Sequence, residues 1–176
     1  MSPEPPPTAD RVAQLRDAFD SAFASAPVRA ADSTEDLLAI EVGGIPCALR
    51  LAEVAGIHAR RPVTALPGAP GAILGLTSLR GGVIAIYDLY TLLGGTGGGE
   101  HRWFALTSDD PAVGLAFDQF EGHLRVPRDA IAEDAATRAP AHMREAVNLP
   151  SARRPIVQIS TLLDIIKTPR GPAHKE

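Results

Sequence analysis

The stretch from Gly71 to Gly94, GAILGLTSLRGGVIAIYDLYTLLG, constrains the fold more than any other, because it holds a turn, two strands and a helix in a very short span. Gly75, Gly81 and Gly82 punctuate an apolar run of Leu74, Leu76, Leu79, Val83, Ile84 and Ile86. Strands are therefore expected over 74–79 and 83–87, with Arg80 at the turn between them. Asp88 then caps a helix through Leu89, Leu92 and Leu93, and Gly94 stops it. An arginine in that turn is either solvated or a contact residue.

The rest of the chain extends this pattern. Met1 to Pro7 is rich in proline and favours extended backbone. From Thr8, Val12, Leu15, Phe19 and Phe23 recur at helical spacing, which predicts an amphipathic helix ending before Pro27. That helix either lies on the domain behind it or serves as a partner-docking helix. After a linker the apolar period changes to two. Leu38, Ile40 and Val42 alternate with Ala39 and Glu41, Gly43-Gly44 turns the chain, and Ile45, Cys47 and Leu49 alternate again. Pro46 places its strand at an edge, or lies at the strand's very start. A further strand is expected over 54–58, and the proline- and glycine-rich passage 66–71 reads as a loop. The glycines of 94–99 read as a flexible linker dividing the domain into halves.

Beyond that linker, strands are expected over 102–107, 113–117, 122–126, 143–149 and 155–159, with 128–141 a long loop or weak helix. Ser160 or Thr161 caps a last helix through Leu162, Leu163, Ile165 and Ile166. Each half thus offers about five short strands and closes with an aliphatic helix, YDLYTLLGG in the first and ISTLLDIIKT in the second. The expected architecture is all-β: two small five-stranded β-barrels packed together, with an N-terminal helical extension (1–35) and a C-terminal helix. The barrels span about 36–94 and about 100–168, and 169–176 is tail.

Composition excludes several functions. A net charge of −4 and 5% aromatic residues argue against a protein that neutralises phosphates and stacks bases, so no nucleic acid is expected as a partner. The single cysteine, Cys47, leaves no intrachain disulfide. No apolar run approaches the roughly 20 residues of a membrane helix, and the N-terminus lacks the pattern of a signal peptide. A cytoplasmic protein without membrane insertion is expected. His58, His101, His123, His142 and His174 show no ligand spacing, so no metal is expected. Asp118 and Glu121 lack a motif-placed nucleophile or base, Ser78 and Ser160 lie outside a nucleophile elbow, and 94–99 lacks the following lysine of a phosphate loop. No cofactor and no catalysis are expected. Arg60-Arg61 and Arg153-Arg154 are either solvated hairpin ends or one basic patch.

With this organisation in view, Gly75-Leu76-Thr77-Ser78-Leu79-Arg80-Gly81, the apolar strand over 83–86 and Asp88-Leu89 resemble the CheW-like domain of bacterial chemotaxis adaptors. The Gly43-Gly44 hairpin, Val54 with Ile57, Leu66-Pro67 and, in the second half, Val113-Gly114-Leu115 to Asp118 also fit. The resemblance covers about 36–168. It implies two β-barrels without catalytic residues or cofactor, and a scaffold bridging the cytoplasmic tip of a chemoreceptor to a CheA-type histidine kinase. It also implies a receptor groove with Val54, Gly75 and Arg80 in or beside it. Leu79 joins Val54 as an apolar patch there, and Gly56 lies nearby. The chain departs from the family pattern at Gly56, where an acidic residue is usual, and at Ser78, where asparagine is usual. Three alternatives follow: a divergent member that binds a receptor or another partner without coupling the kinase, a nucleic-acid-binding β-barrel protein, and an unrecognised small hydrolase.

Overall fold

A computed structural model describes residues 33–59, 61–69, 71–96, 99–133, 140–150 and 152–167. The amphipathic pattern of Val12, Leu15, Phe19 and Phe23 lies outside the described residues, as do Arg60 and the tail. The strands are β1 (Thr34–Val42), β2 (Ile45–Arg50), β3 (Val54–Ala59), β4 (Ile73–Leu79), β5 (Gly82–Asp88), β6 (Trp103–Thr107), β7 (Gly114–Phe117), β8 (Gln119–Pro127), β9 (Ile131–Glu133), β10 (Glu145–Asn148) and β11 (Arg153–Val157). Among the described residues two α-helices, α1 (Leu89–Leu92) and α2 (Ile159–Lys167), follow β5 and β11.

The strands form two mixed sheets, one of six in the order β8-β1-β2-β11-β10-β9 and one of five in the order β3-β6-β7-β5-β4. The expected halves map onto these sheets only in part, because each half lends its leading hairpin to the other. β1 and β2 join the second half's β8–β11, while β6 and β7 join the first half's β3–β5. The exchange is reciprocal: β5 pairs parallel with β7, and β11 pairs parallel with β2. In each half the last strand before the closing helix therefore docks beside the second strand of the other half's hairpin. The internal rhyme of the two helices is a rhyme of topology.

Period-two alternation explains how one strand serves two cores. Along β1, Leu38, Ile40 and Val42 face a central core shared by both sheets, while Leu37 turns to a second cluster with Ala48, Val126, Val147 and Ile156. The five-stranded sheet does the same. Ala105, Leu115 and Phe117 enter the central core, whereas Phe104, Ala116 and Ile86 join Leu79 and Ile84 in a third cluster. Each sheet thus curls over its own apolar interior, and the two pack together across the central core.

Local differences from expectation have identifiable causes. Pro46 is not on an edge strand, since β2 lies between β1 and β11; it stands near the start of β2, beyond the two residues, Ala48 and Leu49, that β11 reaches. The 128–141 region holds the short strand β9, paired to β10, where a loop or weak helix was expected. A three-residue strand offers too short a period to read. α2 starts at Ile159, so Ser160 and Thr161 lie in its first turn instead of capping it. Asp88 does cap α1: its carboxylate accepts from the Tyr90 amide at 3.0 Å and from the Thr91 hydroxyl at 2.6 Å.

Candidate partner-binding surface

The β4–β5 hairpin closes through a two-residue turn, with Leu79 opposite Gly82 and Arg80-Gly81 between them. Both turn residues have positive φ, +51° at Arg80 and +83° at Gly81. That geometry matches the right-handed twist of the strands and normally selects Asn, Asp or Gly at the first position. Arg80 occupies it instead, exposed and without an ion-pair or hydrogen-bond partner among the described residues. Val83, which faces Ser78 across the same hairpin, is 72% exposed.

Gly75 solves a different problem. Its φ is +142°, and a Cβ there would fall 2.1 Å from the Thr64 carbonyl oxygen. Thr64 bridges to Leu76 with two backbone hydrogen bonds of 2.8 and 2.9 Å, and the Thr77 hydroxyl donates to the Pro62 carbonyl at 2.9 Å. The segment from Pro62 to Thr64 is thereby sewn to the outer edge of β4. The close approach that Gly75 permits is made by this chain's own backbone.

Val54 and Leu79 are 8% and 6% exposed. Val54 belongs to the central core and Leu79 to the cluster inside the five-stranded sheet. Neither is exposed; on the same hairpin as Leu79 the exposed apolar side chain is Val83. Val54 and Gly56 flank a bulge where Ala55 drops out of the register with β6, and bulges of this kind re-aim neighbouring side chains.

Gly56 lies under His58, a residue whose role the sequence pattern did not reveal. A Cβ at position 56 would stand 3.3 Å from His58 Nε2, and the imidazole stacks on Phe104 with ring centroids 5.0 Å and planes 22° apart. Burial, then the positive fields of Arg80 and Arg61, hold His58 below the usual histidine range. Gly56, His58, Arg61 and Arg80 therefore share one electrostatic neighbourhood.

Other candidate groups are occupied structurally. Asp118 accepts from the Gly43 amide at 2.5 Å, and Glu121 accepts from Arg154 at 2.6 Å. Arg154 is thus neither a solvated hairpin end nor a free charge of a basic patch. Burial pushes the Cys47 thiol up to about 11, which makes it inert as a nucleophile. Among the described residues no group of three or more His, Cys, Asp or Glu side chains is placed to hold a metal, and no helix is long and apolar enough to cross a membrane.

The chain is similar in structure to the scaffolding protein TtCheW from Thermoanaerobacter tengcongensis, with a TM-score of 0.68 at 16% sequence identity over 76% of this chain and 95% of that one. No curated protein matches the chain significantly in sequence. The family model of the CheW-like domain matches residues 36–170, which takes in the two-sheet body from the third residue of β1 through its closing helix. The chain belongs to the CheW-like domain family.

Proposed function

We propose that the chain is a non-catalytic chemosensory adaptor that holds the cytoplasmic tip of a chemoreceptor and links it to a CheA-type histidine kinase. Its place of action is the cytoplasm, at receptor arrays on the inner face of the membrane. Membership of the CheW-like family supports the scaffold role. The observation that carries the assignment of the surface is Arg80, an unpaired charge held exposed in a left-handed turn beside exposed Val83. Arginine beside an apolar anchor is the composition of interface hot spots, and its planar fork matches carboxylates and carbonyls on a helical partner. Gly75 and Leu79 act by fixing the strand that carries the hairpin, and Val54 by anchoring β3 in the central core.

One observation favours a second reading. Position 56 is glycine covered by His58, so no carboxylate stands beside Arg80 from β3. A receptor-binding member uncoupled from the kinase fits that electrostatic change. The nucleic-acid reading has no comparable support, given the net charge of −4.

Pull-down against a receptor signalling tip and against a kinase regulatory domain tests these readings. Capture of both supports the adaptor, capture of the receptor alone selects the uncoupled member, and capture of neither sinks both. Arg80→Glu is expected to weaken receptor capture with the thermal midpoint nearly unchanged. A collapse of the midpoint would make Arg80 structural.

A further inference from the structure

The Arg80 hairpin lies at one end of the five-stranded sheet, where β4 ends and β5 begins. At the other end, where β3 and β5 finish and β4 and β6 begin, the structure contains a cavity of about 650 Å³. That volume lies within the range of small-molecule sites. Trp103, Phe104, Leu74 and Val63 supply apolar walls, and two polar side chains, Arg61 and His101, converge on the space. The Phe104 wall is backed by the stacked ring of His58.

The arginine is not spent on an internal ion pair. Arg50, Arg102, Arg125 and Arg154 each hold a carboxylate, whereas Arg61 has no acidic partner among the described residues. His101 is oriented by its surroundings. Its Nδ1 is buried without a hydrogen bond, 3.8 Å from the Asp88 carboxylate. With Nδ1 buried on that side, Nε2 is the ring nitrogen left for a ligand to meet. Asp88 is itself fixed by its bonds to Tyr90 and Thr91, so the imidazole has a rigid reference.

We propose that this cavity is a binding site for a small organic acid with a flat apolar body, its carboxylate on Arg61 and its apolar part against Trp103, Phe104 and Leu74. An arginine fork pairs with a carboxylate through two parallel hydrogen bonds, and aromatic walls take up a planar group with little loss of side-chain freedom. His101 Nε2 is a second polar point that selects among acids by hydrogen bonding to a further polar group of the ligand. Occupancy of the cavity is measured separately from partner binding at Arg80.

The chain's one tryptophan lines the cavity, so its emission reports occupancy directly. Titration of the full chain with 4-phenylbutyrate, excited at the red edge of tryptophan absorption, is expected to give a saturable change in Trp103 emission. The neutral 4-phenylbutyramide is expected to bind far more weakly. Arg61→Gln should weaken acid binding by about tenfold or more and abolish the preference for acid over amide, while Arg61→Lys retains part of it. Because Arg61 is exposed, both variants are expected to unfold at the parent temperature. Absence of a saturable change, equal binding of acid and amide, or unchanged affinity in Arg61→Gln would each overturn the proposal.

Discussion

Arg80 is held where its own backbone preference opposes it. A non-glycine residue in the left-handed region costs about 1–2 kcal/mol, and such strain concentrates at sites with a task. Replacing it with a residue that tolerates this geometry separates stability from binding. Arg80→Asn is expected to raise unfolding free energy by on the order of 0.5–1 kcal/mol while weakening receptor capture; chemical denaturation alongside pull-down reads both. Loss of stability in that variant would show that the arginine side chain is a structural element. Gly75 has the opposite character, since its conformation and the Thr64 oxygen 2.1 Å from a would-be Cβ leave no room for a side chain. Gly75→Ala is expected to lower stability by about 2–4 kcal/mol and to break the bridge to Thr64. Faster exchange of the Leu76 amide would report the break. The glycine itself was legible as a motif position, but its partner was not, because Thr64 lies eleven residues away across a proline-rich loop.

At the scale of the element, the six-stranded sheet is tied laterally by Arg50. Its guanidinium reaches Glu35 on β1 at 2.6 Å and Glu145 on β10 at 2.9 Å, and Gln158 also donates to Glu145 at 2.8 Å. The bond from Gln158, together with Arg50, holds the Glu145 carboxyl below its ordinary value of 4.5 against the opposing effect of burial. A carboxyl lowered on folding contributes stability fully above that ordinary value. The contribution declines as pH falls through 4.5 towards the folded value and is gone below it. Glu145→Gln should therefore flatten the acid side of the stability curve below that pH and lower the plateau at neutral pH, as equilibrium denaturation across pH would show. An unchanged acid limb would mean that the bridge is inert. The strands carrying these groups were largely readable from alternation, and Asp88 was readable as a cap because the residue after it opens an aliphatic turn. β9 and the start of α2 were not, since the first is three residues long and the second begins on an apolar residue ahead of the hydroxyls that signal a cap.

For the whole molecule, the reciprocal exchange of hairpins has an energetic consequence. Cutting at the 94–99 linker separates β6 and β7 from β3 and β5, and β1 and β2 from β8 and β11. Each fragment would expose unpaired strand edges and one side of the central core. Fragments 36–94 and 100–168 are expected to show no cooperative unfolding alone, whereas the intact chain melts in one transition with calorimetric and van't Hoff enthalpies equal. Independent cooperative melting of either fragment would show that the halves are autonomous.

The sequence by itself determined the all-β class, the strand periods, the turn at Arg80 and the family, because these depend on residues close in the chain. Which strands pair was decided only in three dimensions, where burying both faces of β1 and β7 requires sheets assembled from both halves. The same holds for the surface around the opening stretch. Val54 and Leu79 turn inward because apolar area gains more from the core than from the surface, and His58 comes within the fields of Arg80 and Arg61 through pairings between strands far apart in the chain.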